Sequence, residues 1–349
     1  MSKQFNLYTL VRKNIASLKA YSSARDEYTA TGSDMIFLDA NENPFENGVN
    51  RYPDPYQRTL KKAIGELKQC TEEQILLGNG SDEVLDLIFR AFCEPGTDSI
   101  ITLPPTYGMY KVLADLNDVK NKEVLLTHNF QPNVSAMLEA TDSTTKLLFI
   151  CSPNNPTGNS FTKENIQEIL ESFPGIVVVD EAYIDFSKDK SWITQLANYP
   201  NLIVTQTLSK AYGMAGIRLG ICFASKEIIS LLNKIKPPYN VNELTQKKAL
   251  QQVLNDVEVQ KQIQVLLNER FYLEEELRKL DFVKEVFKTD ANFILVRVDN
   301  AEARYNQFLE RGIVIRNRTT QPLCENTLRI TVGTPEENKK VLNILKELK

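Results

Sequence analysis

The sequence predicts an α/β fold, with a large domain on a mostly parallel seven-stranded sheet and a smaller α+β domain. Three observations carry this. First, seven short apolar runs lie between residues 74 and 224: QILLG at 74–78, SIITL at 99–103, EVLL at 123–126, KLLFIC at 146–151, GIVVVD at 175–180, NLIVTQ at 201–206 and LGICFA at 219–224. They are apolar throughout, as strands covered on both faces are. Second, segments of helical period such as SDEVLDLIFRAF and TKENIQEILESF separate several of them, and that alternation builds parallel sheets. Third, KPPYN at 236–240 breaks the pattern. After it come a helical stretch from about 242 to 280, FVKEVF, NFILVRV, a helix near 301–311, GIVIR, TLRITV and a last helix after Pro335. A chain of 349 residues holds two domains at roughly 150 residues each. The expected divisions are an irregular N-terminal arm at 1–35, a large domain at 36–236 and a small domain at 237–349.

Composition removes several function classes. One histidine, His128, excludes a His-rich metal site, and any Ser-His-Asp or Cys-His arrangement would have to run through it. It sits in LLTHNF, beside no evident nucleophile, and reads as a surface histidine at a strand end. The acid–base group of an enzyme with this sequence is therefore expected to be something else. The five cysteines (70, 93, 151, 222 and 324) form no CxxC pair and lie in apolar contexts. They read as reduced cytosolic thiols rather than metal ligands, and no metal is expected. The N-terminus has no apolar signal region and no run is long enough to span a bilayer, so a cytoplasmic location is expected. A net charge of −4 gives no electrostatic footprint for nucleic acid.

Sites in open α/β sheets lie outside the carboxyl ends of the strands, so each run is followed to what comes next. After the first comes GNGSDE, where Gly78 and Gly80 permit an unusual backbone path and Ser81 or Asp82 can cap a helix. It is either a plain strand–turn–helix or an anion cradle of free N–H groups. After the second, PPTYGMY carries two tyrosines, either packed in the core or set as an aromatic plate against a flat ligand. After the fourth, CSPNNPTG places Asn154 and Asn155 in a rigid polar turn. After the fifth, Asp180 ends a very apolar strand and needs a cationic or N–H partner, structural or functional. After the sixth, TLSKAYGMAGIRLG brings Thr207, Ser209, Lys210 and Arg218. Lys210 is either a solvent-facing lysine or an amine of depressed pKa, and Arg218 suits a phosphate. Singly these are common features. In this order they meet the needs of pyridoxal phosphate, which has a phosphate, a flat ring, a phenolic oxygen, a ring nitrogen and an aldehyde.

Further segments extend the set: SSARDEY at 22–28, LDANENP at 38–44, RYPDPYQ at 51–57, AFCEPG at 91–96, VVDEAY at 178–183 and LRITVGT at 328–334. On all of these the chain resembles the fold-type I pyridoxal-phosphate aminotransferases, and within them the histidinol-phosphate group, over nearly its whole length. One departure is Lys13 in VRKN, where that group often has proline; it touches only the stiffness of the arm. The resemblance implies that Lys210 binds the cofactor covalently, that Asp180 pairs with the ring nitrogen, that Asn155 and Tyr183 bond the phenolic oxygen and that Tyr110 stacks on the ring. Gly80, Ser81, Asp82, Thr207, Ser209 and Arg218 would surround the cofactor phosphate, joined by Tyr52 from a second subunit of a homodimer. Arg329, Arg316, Tyr21 and Asn43 would serve the substrates, and the arm would pack with the small domain and the partner. The implied reaction is transamination between L-histidinol phosphate and 2-oxoglutarate. Threonine-phosphate decarboxylases and aromatic-amino-acid aminotransferases share the cofactor apparatus and stay open as alternatives. A non-catalytic pyridoxal-phosphate regulator would need a DNA-binding segment for which this sequence shows no basic stretch.

Overall fold

The computed structural model describes residues 5–20 and 36–347. The large sheet runs through β1 (Ile75–Asn79), β2 (Ser99–Thr102), β3 (Lys120–Glu123), β4 (Thr145–Cys151), β5 (Ile176–Asp180), β6 (Leu202–Thr207) and β7 (Leu219–Ala224), in the order β1-β7-β6-β5-β4-β2-β3. Pairing is parallel except that β7 lies antiparallel between β1 and β6. The carboxyl ends of β1, β2, β4, β5 and β6 therefore share one edge with the start of β7. Helices cover both faces, so the central strands are buried on both sides, as their unbroken apolar sequences demand. On one face lie α1 (Lys13–Ala16), α3 (Ser81–Phe92), α4 (Met109–Leu116) and α7 (Lys226–Ile235); on the other, α2 (Arg58–Lys68), α5 (Val134–Ala140), α6 (Lys163–Ser172) and α8 (Glu243–Leu254).

A second, antiparallel sheet contains β8 (Val283–Val286), β9 (Phe293–Val298), β10 (Arg316–Asn317) and β11 (Thr327–Thr331) in the order β10-β11-β9-β8. It packs with α10 (Ala301–Glu310), α11 (Pro335–Glu347) and the end of α9 (Asp256–Leu277) around its own core. The first half of α9 belongs to the other core: Val259 and Ile263 join the large unit, Leu273 and Leu277 the small one. The large core thus continues past residue 236, through Ala249, Val253 and Ile263, and takes in Ala291 and Phe293 at the start of β9. The described part of the arm packs on the large unit, with Leu7, Val11 and Ile15 in the core beside α3 and α7 and Arg12 paired with Glu94 at 3.2 Å.

Three expected elements differ. The third strand is Lys120–Glu123, one stretch earlier than EVLL. It is an edge strand with β2 as its sole neighbour, so it needs no two-faced apolar run, and Leu126 enters the core from coil instead. GIVIR gives only the two-residue β10, with Ile313 and Ile315 packed into the small core. The long helical stretch from 242 breaks at Asn255, which ends α8 and begins α9; asparagine suits a cap better than a helix interior. His128 is exposed, in a turn beyond β3.

Phe149 of β4 is fully buried and stacked, with Phe89 at 5.2 Å on one side and Tyr110 at 4.9 Å on the other. Phe149→Ala should lower unfolding free energy by about 3–5 kcal/mol, read as a fall in the urea midpoint.

Candidate active site

The shared strand edge opens into a cleft of about 490 Å³ between the two units. Its shape starts from two glycines. Gly80 ends the β1 turn at φ +80° and is the N-cap of α3. Neither Ser81 nor Asp82 caps that helix: Ser81 is its first residue and no side chain takes the free N–H groups. Gly220 of β7 presses on this turn so closely that a Cβ there would sit 2.3 Å from the Gly80 carbonyl carbon and the Ser81 nitrogen. A Cβ on Gly80 would meet Arg218 Nη2 at 2.6 Å. The result is an uncapped helix start with Arg218 over it, a cradle for a phosphate. Arg218 stands 3.9 Å from Asp82, and Thr207 and Ser209 line the same end. Ser209 is turned by its own N–H, which donates to Thr207 Oγ1 at 3.1 Å.

Asp180, at the end of β5, is buried. Its Oδ2 accepts from Tyr110 Oη at 2.7 Å and its Oδ1 from the Ala182 N–H at 3.2 Å. Burial raises its pKa, and these donors oppose the rise. Lys210 opens onto the cleft with Nζ 5.7 Å from the Tyr183 ring centroid. Its pKa is lowered, first by burial and then by the Arg329 charge, while Asp180 pulls the other way. A larger share of the amine is then neutral, which is what a nucleophile or proton acceptor requires. Tyr183 is buried to its hydroxyl, and burial holds the phenol protonated and able to donate. On the opposite wall Arg329 Nη1 donates to Asn155 Oδ1, tying β11 of the small unit to the large one, and Arg316 lines the same wall.

Of the residues singled out in the sequence, Ser81, Asp82, Asn155, Asp180, Tyr183, Thr207, Ser209, Lys210, Arg218, Arg316 and Arg329 line this cleft, with Gly80 beneath Ser81. Tyr110 does not. It lies one residue inside α4, fully buried, where it holds Asp180 and stacks on Phe149. Of the two tyrosines in PPTYGMY, Tyr107 is the one that faces the cleft, and its hydroxyl donates to Asp82 at 3.1 Å. Asn43 and Tyr52 lie outside this chain's cleft, Tyr52 exposed and stacked on Tyr239 at 4.4 Å. Tyr21 and SSARDEY fall outside the described residues. Arg318 and Gln321 line the cleft unanticipated; for Arg318 the signal was its two-residue spacing from Arg316.

Glu181 follows Asp180 but faces away from the cleft. It accepts from Ser191 Oγ at 2.5 Å, the Trp192 N–H at 2.7 Å and Gln206 Nε2 at 2.9 Å, locking the ends of β5 and β6. Burial pushes its pKa up to about 7.

The donor set fits pyridoxal phosphate: a cationic cradle at a bare helix start, a buried carboxylate for a ring nitrogen, an amide and a phenol for a hydroxyl, an aromatic plate and an amine. The comparisons agree with that geometry. Residues 37–345 match the family described as aminotransferase class I and II. The chain is 60% identical over 99% of both lengths to a histidinol-phosphate aminotransferase of Christiangramia forsetii. A crystal structure of the histidinol-phosphate aminotransferase from Clostridium acetobutylicum is 28% identical and superposes with a TM-score of 0.79, covering 86% of this chain and 91% of that one. That from Sinorhizobium meliloti, solved in complex with pyridoxal-5'-phosphate, shares the fold at 20% identity and a TM-score of 0.78, over 86% and 84% of the two chains.

Two predictions follow from the buried carboxylates. Glu181 binds its proton more tightly folded than unfolded, so its contribution to stability is complete at acid pH and is lost as pH rises from about 4.5 to about 7. Urea titrations should show stability shifting in favour of Glu181→Gln over wild type by about 3 kcal/mol between pH 4 and pH 8. Tyr110→Phe removes a donor to the ionised form of Asp180. It should cost about 2 kcal/mol where the carboxylate is ionised, a cost that shrinks as falling pH protonates Asp180, in the same measurement.

Proposed function

The chain belongs to the class I and II aminotransferases, in their histidinol-phosphate branch, and from that premise we propose how its own residues act. The reaction is transamination in histidine biosynthesis: L-histidinol phosphate and 2-oxoglutarate exchange with imidazole-acetol phosphate and L-glutamate. The observation that carries it is an amine of lowered pKa, Lys210, that opens onto one cleft with Asp180 and an arginine wall.

Pyridoxal phosphate, when bound, supplies a conjugated cationic ring that accepts the electron pair left as the substrate Cα loses its proton. Arg218, Ser209, Thr207 and the bare N–H groups at the start of α3 hold its phosphate. Asp180 would pair with the ring nitrogen and favour its protonated state by Coulomb attraction; Tyr110 and the Ala182 N–H fix the carboxylate for that task. Asn155 and Tyr183 would donate to the phenolic oxygen, and Tyr107, which lines the same cleft, would supply the aromatic plate for the ring. Lys210 Nζ would hold the cofactor, and as a free amine at this place in the cleft it would take the proton from the amino donor's Cα. In the return half-reaction it delivers a proton to the acceptor's Cα. A lysine so placed removes any need for histidine in the acid–base step. Arg329 binds the anionic group of either substrate, because a guanidinium can grip a carboxylate or a phosphate through two parallel N–H bonds.

The assembly we infer is a homodimer. Ile36, Leu38, Phe45 and Tyr52 are exposed on one stretch beside the large unit, and burying them against a second copy would let Tyr52 reach the partner's cofactor phosphate. Asn43 and Tyr21 are assigned to the substrate side of the assembled site. No helix among the described residues is long and apolar enough to cross a membrane, and the described cysteines are free thiols; both support a cytoplasmic location.

Purified protein with pyridoxal phosphate, L-histidinol phosphate and 2-oxoglutarate should produce L-glutamate. Absence of glutamate overturns the assignment, and release of CO₂ from threonine phosphate would replace it with decarboxylation. Lys210→Ala should lower kcat by at least about 10³-fold and abolish the visible absorbance of lysine-bound cofactor.

A further inference from the structure

Asp180 of β5 and Thr205 of β6 are register partners in the large sheet. The row continues to Cys151 of β4 on one side and to Cys222 of β7 on the other. Side chains paired in this way leave the same face of the sheet, here the face of α3 and α4, from which Tyr110 reaches Asp180. Thr205 is fully buried, and its Oγ1 has no hydrogen-bond partner among the described residues. A buried hydroxyl is seldom left in that condition. Its two neighbours in the row differ as acceptors. Cys222 is a buried free thiol, and sulfur accepts weakly. Asp180 is a carboxylate, whose oxygens offer about four acceptor positions. The Tyr110 hydroxyl and the Ala182 N–H fill two of them, and a ring nitrogen in the cleft would take a third. Cys151, on the far side of Asp180, is committed elsewhere, its thiol donating to the Pro153 carbonyl at 3.5 Å. The Thr205 hydroxyl, free to turn about its Cβ–Oγ bond, is the donor beside the remaining position. Its pull on Asp180 is already among the influences that oppose the effect of burial on that carboxyl.

We propose that Thr205 is a positioning residue for the reaction: its hydroxyl donates to Asp180 from within the sheet and holds that carboxylate ionised and aimed for the cationic ring nitrogen of the cofactor. The identity of the cation rests on the aminotransferase reading of the cleft; the contact rests on the sheet register. The other groups that can titrate around Asp180 are Tyr110 of α4, Tyr107 before it, Asp82 of α3, Cys151 of β4, Tyr183 after β5 and Lys210 after β6. Burial holds the three phenols and the thiol protonated, and an Asp180→Asn background separates Asp180 from Asp82 and Lys210.

The test uses Thr205→Val, which keeps the shape and removes the donor, and Thr205→Ser, which keeps the donor. Each is made with Asp180 and with Asp180→Asn. The full chain without cofactor is unfolded in urea across a range of pH. The donor serves the ionised carboxylate, so the fall in urea midpoint caused by Thr205→Val should grow as rising pH ionises Asp180. In the Asp180→Asn background the fall should be less than about half as large and flat with pH, since the remaining bond joins neutral partners. Calorimetry with pyridoxal phosphate reads the loaded state. The pH below which its affinity falls should move up by about one unit in Thr205→Val, while Thr205→Ser should keep the wild-type profile. A fall that is flat with pH, an equal fall in both backgrounds, or Thr205→Ser failing as badly as Thr205→Val overturns the proposal. Should Thr205→Val not fold, Thr205→Ala carries the same comparison. If the urea series shows the coupling to Asp180 but pyridoxal phosphate does not bind, the role of Thr205 beside the carboxylate stands and the cofactor reading falls.

Discussion

The close approach of Gly220 to Gly80 is the constraint on which the site depends. An antiparallel strand inserted between two parallel ones brings its own beginning to the edge where its neighbours end. β7 does this, and the loop feeding it, with Lys210 and Arg218, is delivered to the start of α3. Contact at this distance leaves no room for a side chain on Gly220, and one on Gly80, itself at φ +80°, would meet the Arg218 guanidinium. The same pressure keeps the helix start bare, since no capping side chain takes its N–H groups. Phosphate cradle, amine and guanidinium are thus three results of one packing decision.

The second organising effect is desolvation. Asp180 ends an apolar strand and Glu181 follows it, and both are removed from water, but they resolve the cost differently. Glu181 is surrounded by three neutral donors and titrates around neutrality. Asp180 has two donors and a cleft beyond, which leaves it ready for a positively charged partner. Alternation along one strand sends one carboxylate to function and the other to structure. The cations of the cleft are arranged to match, with burial and neighbouring arginines lowering Lys210.

Most of this was legible in the sequence because the strands of a parallel sheet are apolar on both faces, so polar residues at their ends stand out. Asp180, Lys210, Asn155 and the glycine turn all followed from that rule. Tyr107 and Tyr110 did not. They are three residues apart at a loop–helix junction, and their facing depends on α4 starting at Met109, which two prolines and a glycine do not specify. Arg318 was hidden because RNRTT reads as loop; its place is set by a ladder bond from β11, a partner nine residues away in sequence. The edge strand β3 escaped the apolar rule because an edge has one neighbour. The division of the chain at 236 followed a loop, whereas the cores divide inside a helix that periodicity shows as continuous.

That helix, α9, works as a lever. Twenty-two residues extend about 33 Å, with Val259 and Ile263 clamped in one core and Leu273 and Leu277 in the other. A tilt of about 5° at the clamped end moves the far end by about 3 Å over that length. This is the difference between a hydrogen bond and a water-filled gap. The arginine wall rides on the far unit, so a tilt of that size would carry its guanidiniums toward or away from an anion held by the large unit.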